Sequence, residues 1–88
     1  MRVDKYLQVS HLVKRRVLAQ RLCDAGRVRI NERRAKPATS VAVGDVLDVN
    51  LGEHRLRVRV LHLPASPREA ARTKSFEVLD DQRRAQGS

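Results

Sequence analysis

The chain has 88 residues and carries 19 Lys+Arg against 10 Asp+Glu, a formal net charge of +9. That length predicts one domain with a thin core and excludes a large two-domain enzyme with an internal cleft. The 41% hydrophobic content is too high for a disordered chain, and no apolar run is long enough to span a bilayer.

In chain order, Val3 and Leu7, then Tyr6, Val9 and Val13, fall at helical spacing and predict a helix over 3–13. A second helix is predicted from Arg15 to Ala25, with Leu18/Leu22 and Ala19/Cys23 at i,i+4 and Gly26 as its stop. The period then changes to two. Arg27-Val28-Arg29-Ile30-Asn31 predicts a half-buried strand, and Asn31-Glu32-Arg33-Arg34 a turn. Lys36–Ser40 reads as a loop and Val43-Gly44-Asp45 as a turn. Leu47, Val49 and Leu51 alternate with polar residues, Gly52-Glu53-His54 is a hairpin loop, and a further strand runs from Arg55 to Leu63. Its apolar face is Leu56, Val58 and Val60; its other face is Arg55, Arg57 and Arg59, read as solvated edge protection. Residues 64–74 are expected to be a mobile connection, Ser75–Leu79 a last strand and 80–88 a short polar tail. The predicted fold class is α+β: two N-terminal helices packed on a small, mostly antiparallel sheet, with residues 1–79 as one domain.

The charge is unevenly placed. Residues 1–36 hold eleven Lys/Arg against three acids, a net +8, whereas residues 37–88 hold eight against seven. Such self-repulsion calls for an anionic partner. Tyr6 and Phe76 are the only aromatics, so neither a base-stacking platform nor the apolar face of a membrane-surface helix is available. Phosphates and the shape of structured RNA are the expected target.

Lys14-Arg15-Arg16 falls where the second helix begins, with no Ser/Thr/Asp/Asn cap before it. Cations there are unfavourable unless an anion joins the free amides and the helix dipole. Arg2 and Lys5 lie a turn apart beside the same corner, and Asp4 between them is read as an ion-pair orienter for an Arg. Arg27, Arg33, Arg34 and Lys36 are expected to extend this surface. Arg2→Ala and Arg16→Ala are expected to weaken binding without unfolding the domain.

No catalytic constellation is legible. His11, His54 and His62 lack metal-ligand spacing with Cys23, and Cys23 falls on the apolar side of its helix. No cofactor, metal or enzymatic activity is expected. A lone cysteine and an N-terminus without an apolar signal segment predict a cytoplasmic protein.

Arg2-Val3-Asp4-Lys5-Tyr6-Leu7, then Lys14-Arg15-Arg16, then Ala25-Gly26-Arg27-Val28-Arg29-Ile30-Asn31, then Val43-Gly44-Asp45 together resemble the S-four RNA-binding domain over roughly residues 1–63. Within it, Val9-Ser10, Leu12, Lys14-Arg15-Arg16 and the compact length resemble the ribosome quality-control members. Two positions depart from the pattern: His11 stands where the family often has Arg, and Arg15 where it often has Ser/Thr. The resemblance implies binding to large-subunit rRNA and stabilisation of P-site peptidyl-tRNA. An RqcH-type factor would recruit alanyl-tRNA for a template-free alanine tail that marks the stalled chain for degradation. It also implies contacts with tRNA and ribosomal RNA at Arg2 and Arg16. The predicted RNA-binding set is Arg2, Lys5, Ser10, His11, Lys14, Arg15, Arg16, Arg27, Arg33, Arg34 and Lys36. A monomer is the expected state.

Three other functions fit parts of the sequence less well. A DNA-binding helix-turn-helix would need base-edge readers, for which Gln20 is the only candidate. An appendage lost from a pseudouridine synthase or tRNA synthetase retains no catalytic residue here. An interaction protein would use the Arg55–Arg59 stripe on an acidic partner. The alternative within the family is a heat-shock-type protein that recycles obstructed large subunits; Asp80-Asp81 and the short end set the chain apart from it.

Overall fold

The change of hydrophobic period after Gly26 marks the boundary between helices and sheet. In the computed structural model, which describes residues 1–83, two helices come first: α1 (Val3–Val9) and α2 (Arg16–Asp24). Five strands follow: β1 (Val28–Ile30), β2 (Arg33–Arg34), β3 (Val46–Asn50), β4 (His54–Val60) and β5 (Phe76–Arg83), with α3 (Pro67–Ala70) before β5. All strand pairings are antiparallel, in the order β2-β1-β3-β4-β5.

Alternation puts Val28, Ile30, Leu47, Val49, Val58 and Val60 on the face that meets the helices, where each is at most 8% exposed. Val3, Tyr6, Leu7, Ala19, Leu22 and Cys23 cover them from α1 and α2. Burying one such Val or Leu contributes about 1.5–3 kcal/mol, so this one cluster carries most of the driving force. Tyr6 is fully buried, and its hydroxyl donates to the Ser75 carbonyl at 2.8 Å. Leu18, placed by spacing beside Leu22, is instead 45% exposed.

α1 is shorter than its periodicity predicts because His11 adopts φ 67, which no helix tolerates. Val13 nevertheless reaches the core from the connector, with its amide donating to the Leu7 carbonyl at 2.9 Å. α2 ends as predicted. Gly26 sits at φ 74, its amide donates to Cys23 O and the Arg27 amide to Leu22 O, the two bonds of a Schellman motif.

Three expectations change. Arg33-Arg34 is a strand, not part of the turn; Asn31 and Glu32 alone make the reversal, both at positive φ. Residues 64–74 contain α3, where Ser66 caps the Glu69 amide, Pro67 occupies the first turn and Pro64 is fully buried. β5 runs four residues beyond Leu79 and pairs with β4 through Arg83. Residues 80–83 of the expected tail are therefore strand, and 84–88 lie outside the described residues. β4 is consequently an interior strand, so Arg55, Arg57 and Arg59 do not guard an edge. Arg57 bonds Glu32 at 3.3 Å and lies 3.7 Å from Asp48; Arg59 bonds Glu77 at 2.9 Å.

Candidate nucleic-acid interface

The interface is built around Asp4. The second residue of α1 is 0% exposed, yet it is a carboxylate. Arg2 donates to it through Nε at 3.2 Å and Nη2 at 3.1 Å. Arg16, the first residue of α2, approaches through Nε at 3.3 Å and Nη2 at 3.4 Å. Gln20, one turn further along α2, donates at 3.0 Å, and the Lys5 amide at 2.7 Å. Burial pushes the Asp4 carboxyl up. The Gln20, Arg16 and Lys5 hydrogen bonds, with the Arg16 charge, outweigh it and hold the group below the ordinary aspartate range. The predicted role of Asp4 as an orienter is what the geometry displays, with two guanidiniums rather than one.

Each guanidinium turns its other side outward: the side chains of Arg2 and Arg16 are 49% and 42% exposed. Lys14 and Arg15 are exposed on the connector between the helices, and Lys5 is half-buried on α1. Among the described residues none of these three has an acidic partner within 4 Å, so their charge is unspent. Arg15 is the N-cap of α2, in extended geometry with no side-chain cap bond, so the positive end of the α2 dipole opens into the same corner. The N-terminus of α1 is instead closed by the 37–39 loop: Val3 N donates to Thr39 O at 2.8 Å and Asp4 N to Pro37 O at 3.3 Å. That loop brings exposed Lys36 toward the corner.

Other predicted members sit elsewhere. Ser10 is 5% exposed and its hydroxyl donates to the Leu7 carbonyl, so it is withdrawn from the surface. His11 is exposed, but its Nε2 lies 3.2 Å from the Pro67 carbonyl oxygen; since a carbonyl only accepts, Nε2 carries the proton and ties the corner to α3. Arg34 donates to the Asp24 carbonyl at 2.7 Å and caps the C-terminal end of α2. Arg27 follows Gly26 at that same end, so both lie at the opposite end of the nine-residue α2 from Arg16, about 13 Å along its axis. They do not extend the corner surface as the sequence led us to expect. Arg33 is exposed on the edge strand β2.

Gln20 is an organising residue outside the predicted RNA-binding set. Its amide is spent on Asp4, which removes the only base-edge reader a helix-turn-helix reading had. Cys23 is 1% exposed in the core, and burial, with the charges of Asp4 and Asp24, pushes its thiol up to about 11, an inert thiol rather than a nucleophile. Asn31 and Asp45 also prove structural: Asn31 Nδ2 donates to Asp45 at 3.1 Å, and Asp45 accepts the Ala42 amide at 2.8 Å. Among the described residues no group of three or more His, Cys, Asp or Glu could hold a metal ion, and no helix is long and apolar enough to cross a membrane.

Residues 1–47 match the S4 domain family model. The chain is 35% identical over 83 residues to the RQC P-site tRNA stabilizing factor of Streptococcus pneumoniae, covering 94% of both chains. It is 36% identical over 83 residues to the factor of the same name from Bacillus subtilis, covering 94% of this chain and 96% of that one. Among solved structures it resembles the trimeric heat shock protein 15 of Vibrio cholerae, with a TM-score of 0.78 and 26% identity, covering 89% of this chain and 80% of the other.

Proposed function

This chain belongs to the S4 domain family, with the RQC P-site tRNA stabilizing factors as relatives along nearly its whole length, and from that premise we propose how its corner works. It is an RNA-binding factor of ribosome quality control. It binds rRNA of the large subunit and steadies the P-site tRNA there, without catalysing a reaction. The carrying observation is the convergence of Arg2 and Arg16, from two different helices, on one buried carboxylate.

Asp4 fixes the inner side of each guanidinium, so the outer donors are already aimed when a phosphate arrives. Less side-chain entropy is then lost on binding, which saves about 0.5–1.5 kcal/mol per side chain. Lys5, Lys14 and Arg15 add unspent charge, and the open end of α2 adds dipole and amides. A rigid corner of this kind can touch phosphates of two RNAs at once, which keeps a tRNA at high effective concentration after partial release. Acting as a cytoplasmic monomer on a large subunit that still carries peptidyl-tRNA, the protein holds that tRNA while an RqcH-type factor brings alanyl-tRNA for template-free tailing. The alternative, recycling of obstructed large subunits in the manner of a heat-shock S4 protein, draws on the fold likeness to the Vibrio cholerae structure.

The experiment is binding to large subunits with and without P-site tRNA, over a salt series. Neutralisation of about six phosphates gives a slope of log K against log salt of roughly −4 to −5. The double variant Lys14→Gln/Arg15→Gln lowers affinity and flattens the slope by about 1.5, because it removes cations without touching Asp4. Equal affinity for subunits with and without tRNA favours the recycling reading. An unchanged slope in the variant defeats the corner as the site.

A further inference from the structure

We propose that the open face of the sheet, opposite the helices, holds a second RNA backbone phosphate in the concavity framed by Arg27, Arg29 and Arg55. This rests on the RNA-binding reading above and adds a second contact to it.

Strand register sets the charge pattern of this face. Along β4, Arg57 faces Asp48 on β3 and Asp80 on β5, and Arg59 faces Glu77 on β5. Arg57 and Arg59 each hold an acidic partner within 4 Å. Arg55 faces Asn50 on one side and Gln82 on the other, both neutral. Arg27 enters the same row, because the Asn50 amide donates to its carbonyl at 2.9 Å. Arg29, two residues on, projects from the same face of β1 and sits opposite Asp48. The stripe is thus neutralised toward one end of the sheet and left unbalanced toward the β3–β4 hairpin.

That unbalanced end is concave. Gly26, Arg27, Arg29, Asp48, Asn50 and Arg55 line a hollow of about 210 Å³. Three of the six are exposed arginines, and among the described residues none of the three has an acidic partner within 4 Å. The one acid, Asp48, has a side chain only 16% exposed and is directed to Arg57. Asn50 spends its Oδ1 on the Gly52 amide at 2.9 Å, leaving its NH2 as a neutral donor. Gly26 contributes no side chain at the rim. Three guanidiniums and an amide around a small hollow match the oxygens of a phosphodiester, which arginine forks recognise bidentately. The flat, aromatic-free face beside it offers nothing to a base. Because the helices cover the other face, the strand bound here is a separate segment from the one at the helix corner, and the domain becomes a spacer between two backbones.

The test uses the full chain and a fluorescein-labelled RNA hairpin with a duplex stem, with stoichiometry measured by titration calorimetry at low salt. Two hairpins per chain are expected for the wild type and one for Arg27→Gln/Arg55→Gln. The salt slope for the same RNA flattens by about 1.5 in that variant. Arg68→Gln/Arg72→Gln removes the same charge from α3 and the turn after it, and should keep the stoichiometry at two. The proposal is overturned if the wild type binds one hairpin, or if the two arginine pairs behave alike. It is also overturned if polyglutamate, and not RNA, is what Arg27→Gln/Arg55→Gln ceases to bind. Loss of binding through Lys14→Gln/Arg15→Gln alone would leave the corner standing and remove the sheet site; loss through Arg27→Gln/Arg55→Gln alone would do the reverse.

Discussion

Replacing Asp4 by Asn separates two accounts of the corner, one in which the cations act by charge alone and one in which they act because they are aimed. The substitution is nearly isosteric and raises the net charge by one. If charge alone mattered, RNA affinity would rise. In the structure, however, the carboxylate receives Arg2, Arg16, Gln20 and the Lys5 amide while 0% exposed. An amide accepts through one oxygen only and turns an NH2 toward the guanidiniums. Breaking a buried pair costs about 3–5 kcal/mol, but both arginines are half exposed and regain water, so about 2 kcal/mol is the expected loss of stability. For a domain of this size that lowers Tm by roughly 8–16 °C. Two arginines released from fixed geometry lose about 1–3 kcal/mol of binding between them, or roughly 5- to 150-fold in Kd. Thermal melting by circular dichroism and fluorescence anisotropy with a labelled tRNA, read below the variant's melting range, measure both. A folded Asp4→Asn protein that binds as tightly as the wild type, or more tightly, refutes the reasoning.

The remaining predictions concern stability. Asp4 and Glu69 both titrate below their ordinary values. For Glu69 the Ala65 amide is the leading cause, followed by its bond to His62. A folded-state value below the unfolded one stabilises fully above the unfolded value, so the protein should lose stability as pH falls below about 4, with a shallower loss in Asp4→Asn; melts from pH 7 to pH 3 would read this. Gly26→Ala should lower Tm by several degrees, since φ 74 disfavours a side chain and the new Cβ would lie 3.3 Å from the Arg34 guanidinium. Tyr6→Phe removes one of three donors to the Ser75 carbonyl, which keeps the Leu61 and His62 amides, and should cost about 0.5–1 kcal/mol by urea denaturation. Ser75→Ala should be neutral or stabilising by the same assay, because its buried hydroxyl has no hydrogen-bond partner.

Periodicity made α2, β1, β3 and β4 legible because each buries one face and ends at a recognisable stop: Gly26, the Asn31 turn and the Gly52 loop. What it missed follows from chemistry that overrides pattern. His11 at φ 67 cuts α1 short while leaving Val13 in the core, so an apolar rhythm persists where the helix does not. β5 continues through Asp80, Asp81, Gln82 and Arg83 because its partner β4 presents arginines and His54, which makes charged residues good strand formers there. α3 has a local signature in the sequence. Ser66-Pro67-Arg68-Glu69 has a capping Ser, Pro at the first turn and Glu three residues on, and Glu69 reaches back to the Ala65 amide and across to His62. At the candidate site, the cluster Lys14-Arg15-Arg16 and the orienting role of Asp4 were readable from local order. The meeting of Arg16 and Gln20 with Asp4, twelve and sixteen residues away, depends on how α2 crosses α1 and has no local signature. The same limit explains Arg27 and Arg34, which belong with the front of the chain in sequence but lie at the far end of α2 in space.

The central claim is that the corner between α1 and α2 is the surface that meets RNA. A cryo-electron microscopy map of this chain on a large ribosomal subunit carrying P-site tRNA tests it most directly. The outer guanidinium edges of Arg2 and Arg16 should lie within hydrogen-bond distance of tRNA or rRNA phosphates, with Asp4 still buried between them. A bound protein whose α1–α2 corner faces solvent would contradict the account.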